Sequence, residues 1–125
     1  MCGAMSFYER LDGDYVDGLF DGEGCVYWDG RAVRVSITNT CLPIIKALQY
    51  TYGGGVRLSG PKVWRWEASG AEAYDFLTAR EGCLIKYDQV QVAMTIMDTV
   101  WIDLREKRKL ISKLKKLKTV RWAKK

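Results

Sequence analysis

Tyr15–Gly24 reads YVDGLFDGEG, and this stretch decides how the rest of the chain is read. Asp12 just upstream is a good N-cap, since its carboxylate can accept from the free N–H groups of a first helical turn. Val16, Leu19 and Phe20 recur at i, i+3, i+4 and give that helix one apolar face. Gly18 and Gly22 are four apart, so they stack on one side and leave a bare groove where a second helix could approach closely. Asp21 and Glu23 fall where the helix gives out. At least one carboxylate is thus delivered to a helix C-terminus, whose negative partial charge makes an unpaired acid uncomfortable unless a cation joins it. Spacing alone is equally satisfied by an ordinary amphipathic helix with C-terminal glycines.

The 125 residues fit one domain, and 48% hydrophobic with 12% aromatic content is globular rather than disordered. No apolar run approaches the about 20 residues of a membrane span. The expectation is an intracellular protein of a reducing compartment, not secreted and without a membrane partner. Net charge is +5, unevenly spread. Up to Gly24 the acids Glu9, Asp12, Asp14, Asp17, Asp21 and Glu23 face Arg10 alone, and the remainder is basic. An acidic centre in a basic body suits a protein that grips a polyanion and holds a cation against it. Histidine is absent, which excludes histidine triads and Cys2His2 zinc sites. Cys2, Cys25, Cys41 and Cys83 contain no C-x-x-C pair and are expected as reduced thiols, most of them core filler. Carboxylates, amides, lysines, arginines and tyrosines remain, an inventory that points to metal-dependent hydrolysis.

Beyond the motif the period changes to two. Cys25–Trp28 and Val33–Thr38 are predicted strands of a hairpin through Asp29-Gly30, with Val33, Val35 and Ile37 inward and Arg34, Ser36 and Thr38 outward. Asn39-Thr40 ends the strand and can cap a second helix, with Pro43 in its first turn and Leu42, Ile45, Leu48 and Tyr52 as its apolar face. Gly53-Gly54-Gly55 stops it. Val56–Ser59 and Val63–Ala68 form a second hairpin; alternation assigns Trp64, Trp66 and Ala68 inward and Val63, Arg65 and Glu67 outward. A one-residue slip would instead turn the tryptophans to the free face. Ser69 can cap a third helix, Ala71–Arg80, with Ala73, Phe76 and Leu77 buried. After Lys86 a long last helix is expected, striped by Val90, Ala93, Met94, Met97, Val100 and Trp101. Past Asp103 it becomes a lysine-rich extension with Leu110, Leu114 and Leu117 on one side, either a solvated amphipathic helix or a phosphate contact. The fold class is α+β: αββαββα, one antiparallel sheet with helices on a single face, in a single domain with its core over about 11–101 and a basic helical extension over 102–125.

The ten-residue string as a whole resembles the LAGLIDADG motif of homing endonucleases, in the variant ending DGEG. The element order is similar to single-motif members over roughly Leu11 to Lys118. I-T-N-T at Ile37–Thr40, GGGV at Gly53–Val56 and L-I-K-Y-D-Q at Leu84–Gln89 resemble further family landmarks. The resemblance implies a homodimeric, site-specific double-strand DNA endonuclease using Mg²⁺ or Mn²⁺. It makes Glu23 and the Gly22 carbonyl the metal ligands, Asn39 the amide that orders water, and Lys86 the cation near the scissile phosphate. It implies pairing of motif helices through Gly18, Gly22, Asp17 and Asp21, and a pseudo-palindromic duplex target. It places DNA recognition on Tyr27, Asp29, Arg31, Arg34, Ser36, Thr38, Arg57, Ser59 and Arg65. A non-catalytic DNA-binding regulator or RNA maturase of the same fold is the alternative. Asp17 departs from the family, which usually has a small residue there. A buried carboxylate in a helix seam is costly unless paired, so either Asp17 turns outward towards Arg10 or a basic residue of a partner, or the dimer is weak or packed differently.

Overall fold

The computed structural model describes residues 12–80, 82–98 and 104–119. Expectations for Arg10, Val100 and Trp101 lie outside the described residues. Helix α1 (Gly13–Glu23) leads into β1 (Gly24–Trp28), β2 (Val33–Asn39) and α2 (Leu42–Tyr52); β3 (Gly55–Gly60) and β4 (Val63–Ser69) follow, then α3 (Gly70–Thr78), α4 (Tyr87–Asp98) and α5 (Leu104–Thr119). The four strands form one antiparallel sheet in the order β1-β2-β4-β3. The two α-β-β units therefore meet along β2 and β4.

Asp12 caps α1 as its sequence position predicts, accepting from the Tyr15 N–H at 2.9 Å. Gly24 is required where the helix turns into β1. A Cβ there would lie 2.1 Å from Phe20 Cδ1 and 2.7 Å from the Phe20 carbonyl oxygen. Alternation holds along β1, β2 and β4: Val26, Val33, Val35, Ile37, Trp66 and Ala68 are buried, and Trp64 packs partly against the same core; in β3 it breaks at an irregularity between Leu58 and Gly60. The tryptophans thus face the helices, because a ring as large as Trp66 gains most from burial. Trp66 also donates to the Gly53 carbonyl at 2.8 Å. Its ring centroid is 4.9 Å from that of Phe76, which in turn meets Phe20 at 5.2 Å and Tyr52 at 5.0 Å. This aromatic cluster ties α1, α2 and α3 to β4.

The structure corrects several sequence expectations. Neither Asn39 nor Thr40 is the helix cap of α2. Cys41 occupies that position and makes no side-chain cap bond, while Asn39 Oδ1 accepts from its N–H at 2.8 Å. Helix α3 stops at Thr78, so Arg80 follows it; Ser69 caps it by position, without a side-chain bond. The final helix is two helices. One rod over 87–119 would be about 50 Å long, too long for both ends to reach one small core, whereas α4 and α5 bury Val90 and Leu114 in the same cluster. Cys25 and Cys83 are free thiols, but Cys41 is disulfide-bonded, against the expectation of four reduced cysteines.

Candidate active site and sheet face

The C-terminal end of α1 is where the acidic and basic candidates converge. Glu23 is the last helical residue and is exposed, as are Gly18 and Gly22. A Cβ at Gly18 or Gly22 would meet nothing within 4 Å, so the glycine groove is open. Tyr15, at helical spacing from both, is 43% exposed beside it.

Asp21 builds a reciprocal clamp onto the start of α4. Its carboxylate accepts the Leu84 N–H at 2.8 Å and the Lys86 N–H at 3.0 Å, tying the segment that enters α4 to the end of α1. In return the Lys86 ammonium donates to the Asp21 carbonyl at 2.7 Å, a cation on the negative end of α1. The register Gly24↔Ile37 brings Glu23 to the end of β2, where Asn39 stands. Lys86 is thus tied to the end of α1 two residues before Glu23, and Asn39 closes β2 with its Oδ1 engaged by the Cys41 N–H.

Asp17 does not turn outward. It is buried, and its Oδ1 lies 3.1 Å from Nη1 of Arg80, itself 1% exposed. That nitrogen makes no aligned hydrogen bond, so the contact is an ion pair rather than a directional bond. Arg80 is fixed by other groups: Nε donates to the Phe76 carbonyl at 3.1 Å, Nη2 to the Tyr52 hydroxyl at 3.1 Å, and the guanidinium lies 4.6 Å from the Phe76 ring centroid. A Cβ on Gly82 would come 2.2 Å from Asp17 Oδ2. Burial, followed by the charges of Asp21 and Asp17, pushes the nearby Cys83 thiol up to about 12. Both carboxylates serve contacts within the chain, because a buried or half-buried acid takes the nearest counter-charge or N–H donors.

The outer face of the sheet carries Tyr27, Arg34, Thr38, Arg57 and Arg65, as alternation predicts, while Ser59 is exposed at a register irregularity between Leu58 and Gly60. Ser36 belongs to this face by register but is 2% exposed, flanked by Cys25 and Glu67, so its hydroxyl is not presented to solvent. Asp29 folds its own turn, accepting the Arg31 and Ala32 N–H groups at 2.8 and 2.9 Å, and pairs with Arg34. The Arg34 bond and these backbone bonds lower its carboxyl to about 2. Glu67 was read only as outward-facing from the sequence, yet it gathers Tyr27, Arg57 and Arg65 around one carboxylate. On α5, Leu114 is buried and Leu110, Ile111 and Leu117 pack partly on the core. The exposed lysines and arginines are thereby held on an anchored helix, and Lys107 Nζ lies 5.2 Å from the Trp28 ring centroid.

Among the described residues no three His, Cys, Asp or Glu side chains are grouped closely enough to hold a metal ion. No helix there is long and apolar enough to cross a membrane. Neither a protein-family model nor a curated protein matches the sequence. Solved structures do. I-CvuI in complex with its target in the presence of calcium superposes with a TM-score of 0.74 at 17% identity, over 93% of this chain and 87% of that one. The chain has the LAGLIDADG homing-endonuclease fold. The archaeal intron-encoded homing endonuclease I-Vdi141I, complexed with DNA, gives 0.73 at 17% identity over 94% of this chain and 90% of its own. I-SmaMI bound to an uncleaved DNA target in the presence of calcium gives 0.64 at 18% identity, over 85% of this chain but 44% of that one. The homing-endonuclease fold accounts for the position of YVDGLFDGEG as the helix that runs into the sheet.

Proposed function

We propose that this chain is a site-specific, divalent-metal-dependent double-strand DNA endonuclease that works as a homodimer. The observation that carries the reading is the C-terminal end of α1, where Glu23 is exposed and Lys86 is held by its 2.7 Å bond to the carbonyl of Asp21, two residues earlier in the helix. Solved structures of the same fold are complexes with DNA targets in the presence of calcium or magnesium, which supports a duplex as the ligand.

The donor set fits a hard divalent cation, Mg²⁺ or Mn²⁺, because it is all oxygen. One chain offers the Glu23 carboxylate and the Gly22 carbonyl; a second copy doubles the set across a two-fold axis. When bound, such a cation supplies a polarised water and neutralises charge on the phosphate. In this reading Lys86 places positive charge beside the same phosphate. With Asn39 Oδ1 given to Cys41, its Nδ2 is assigned to ordering water.

Two copies would pair through the open stripe of Tyr15, Gly18 and Gly22. A single chain aligns with less than half of I-SmaMI, which leaves room in that protein for a second unit of this size. A two-fold dimer favours a pseudo-palindromic target. Tyr27, Asp29, Arg31, Arg34, Thr38, Arg57, Ser59 and Arg65 would meet base edges, where arginine can read guanine bidentately. The exposed basic residues of α5 would meet phosphates.

The test is incubation with a DNA library that includes the parental insertion locus, in Mg²⁺ and in EDTA. Metal-dependent cutting at one site supports the enzyme. Tight binding without cutting would instead identify a non-catalytic regulator or maturase on this fold.

A further inference from the structure

Glu67 lies between the cations of the outer sheet face, and no part of the proposed cleavage chemistry uses it. Its Oε2 accepts from the Tyr27 hydroxyl at 2.9 Å and lies 3.2 Å from Arg65 Nε; its Oε1 lies 3.3 Å from Arg57 Nη2. Arg65 Nη2 also donates to the Tyr27 hydroxyl at 3.4 Å. The register explains the convergence. Arg57 pairs with Arg65 across β3 and β4, and Gly55, opposite Glu67, adds no side chain to crowd it.

We propose that Glu67 is a specificity-determining residue, which fixes the Arg57 and Arg65 guanidinium groups for reading bases and keeps them from grasping any phosphate they meet. The inference rests on the sheet face binding duplex DNA, as proposed above. Stability does not explain the cluster well. The Arg57 side chain is 65% exposed, and ion pairs at such exposure contribute little to stability. Orientation is the larger effect. An arginine on a flexible stem loses side-chain entropy when it binds, and one already held loses less. Arg65 is held by its Nη2 bond to the Tyr27 hydroxyl and by the Glu67 charge beside its Nε, an ion pair rather than a directional bond.

Charge points the same way. Two guanidiniums and one carboxylate leave a net single positive charge where the arginines alone would present two. A carboxylate at that spot also repels a phosphate but can accept from a cytosine amine. Rejecting the wrong contact is as much a source of specificity as making the right one. Burial opposes ionisation of Glu67, but the Tyr27 bond and the Arg65 and Arg57 charges outweigh it and hold the carboxyl below its ordinary value. The brace is therefore charged at neutral pH. Asp29 and Arg34 repeat the pairing of an acid with an arginine on the same face.

The experiment is selection of bound duplexes from a randomised library by the full chain and by Glu67→Gln and Glu67→Asp, with thermal melting of each variant. The wild-type chain should enrich a defined sequence. Glu67→Gln should lose base preference at a discrete subset of positions, bind random duplex more tightly, and show a salt dependence steeper by about one phosphate contact. Its ratio of specific to random binding should fall by tenfold or more. Glu67→Asp, which keeps the charge but shortens its reach, should recover part of the preference. The proposal is overturned if Glu67→Gln folds normally and selects the same sequence with the same ratio. It is also overturned if Glu67→Gln unfolds and Glu67→Asp restores folding with no recovery of preference. Should the wild-type chain enrich nothing, the DNA reading itself fails, an outcome distinct from either.

Discussion

Arg80 Nη1 lies 3.1 Å from Asp17 Oδ1, with the arginine side chain fully out of solvent and the aspartate nearly so. The pair joins the motif helix to the segment after α3 and accounts for an acid on the buried side of α1. Removing one partner strands the other charge in a low-dielectric site. Asp17→Ala should therefore destabilise the fold by about 3–5 kcal/mol, read as a drop in the urea midpoint. Arg80→Met combined with Asp17→Ala should lose much less, since an apolar pair leaves no orphan charge. A single Asp17→Ala variant with an unchanged midpoint would show that the ion pair is not structural.

In the proposed site Asp21 acts by positioning Lys86. Asp21→Asn keeps one oxygen acceptor, loses the carboxylate's second, and loosens the entry to α4. A displacement of about 1 Å at a reacting group costs on the order of 100-fold in rate. Single-turnover cleavage should fall tenfold or more while DNA affinity changes by less than threefold. Equal losses in both would place Asp21 in binding instead.

Gly18 and Gly24 are glycines for different reasons, and substitution should separate them. Gly18 faces open space in the single chain, so Gly18→Leu should leave folding intact yet abolish dimers in sedimentation on DNA. Gly24→Ala drives a methyl into Phe20 and should lower stability by about 1–3 kcal/mol. A Gly18→Leu chain that still sediments as a dimer on DNA would rule out pairing through this face.

The Asp29 turn should survive mild acid. Its folded carboxyl is depressed to about 2 by Arg34 and the turn N–H groups, against an ordinary value of 3.8. A depressed acid stabilises the fold above its unfolded value, and that contribution disappears as pH falls through the folded one. The Asp29 carboxyl resonance should hence titrate near pH 2, while Arg34→Gln should move the midpoint upward. A midpoint near 4 in the intact chain would contradict the pairing.

Local rules made most of the fold legible. The Asp12 cap, the apolar stripe of Val16 and Phe20, both hairpins and the inward set of Val33, Val35, Ile37 and Trp66 follow from period and turn chemistry. Long-range pairing did not follow. Arg80 continues the buried stripe of Ala73, Phe76 and Leu77, and Asp17 sits within that of Val16 and Phe20. An acid and a base at core positions of two helical segments were the available signal, but spacing on one segment cannot name its partner on another. Glu67 was hidden similarly, because alternation gives a side chain's face and not its neighbours. The division into α4 and α5 escaped periodicity because the same helical period runs on both sides. At the site, the resemblance of the motif proposes Glu23 and Lys86, whereas the bonds of Asp21 to Leu84 and Lys86 required coordinates.

The most direct test of the central claim is the cleavage of a selected duplex by the wild-type chain and by Glu23→Gln, in Mg²⁺ and in EDTA, with both cut ends sequenced. The account predicts one double-strand break, dependent on Mg²⁺ and placed symmetrically about the target's two-fold centre. Glu23→Gln should bind the same duplex and leave it uncut. Cutting by Glu23→Gln at the wild-type rate, or tight wild-type binding in Mg²⁺ with both strands intact, would contradict it.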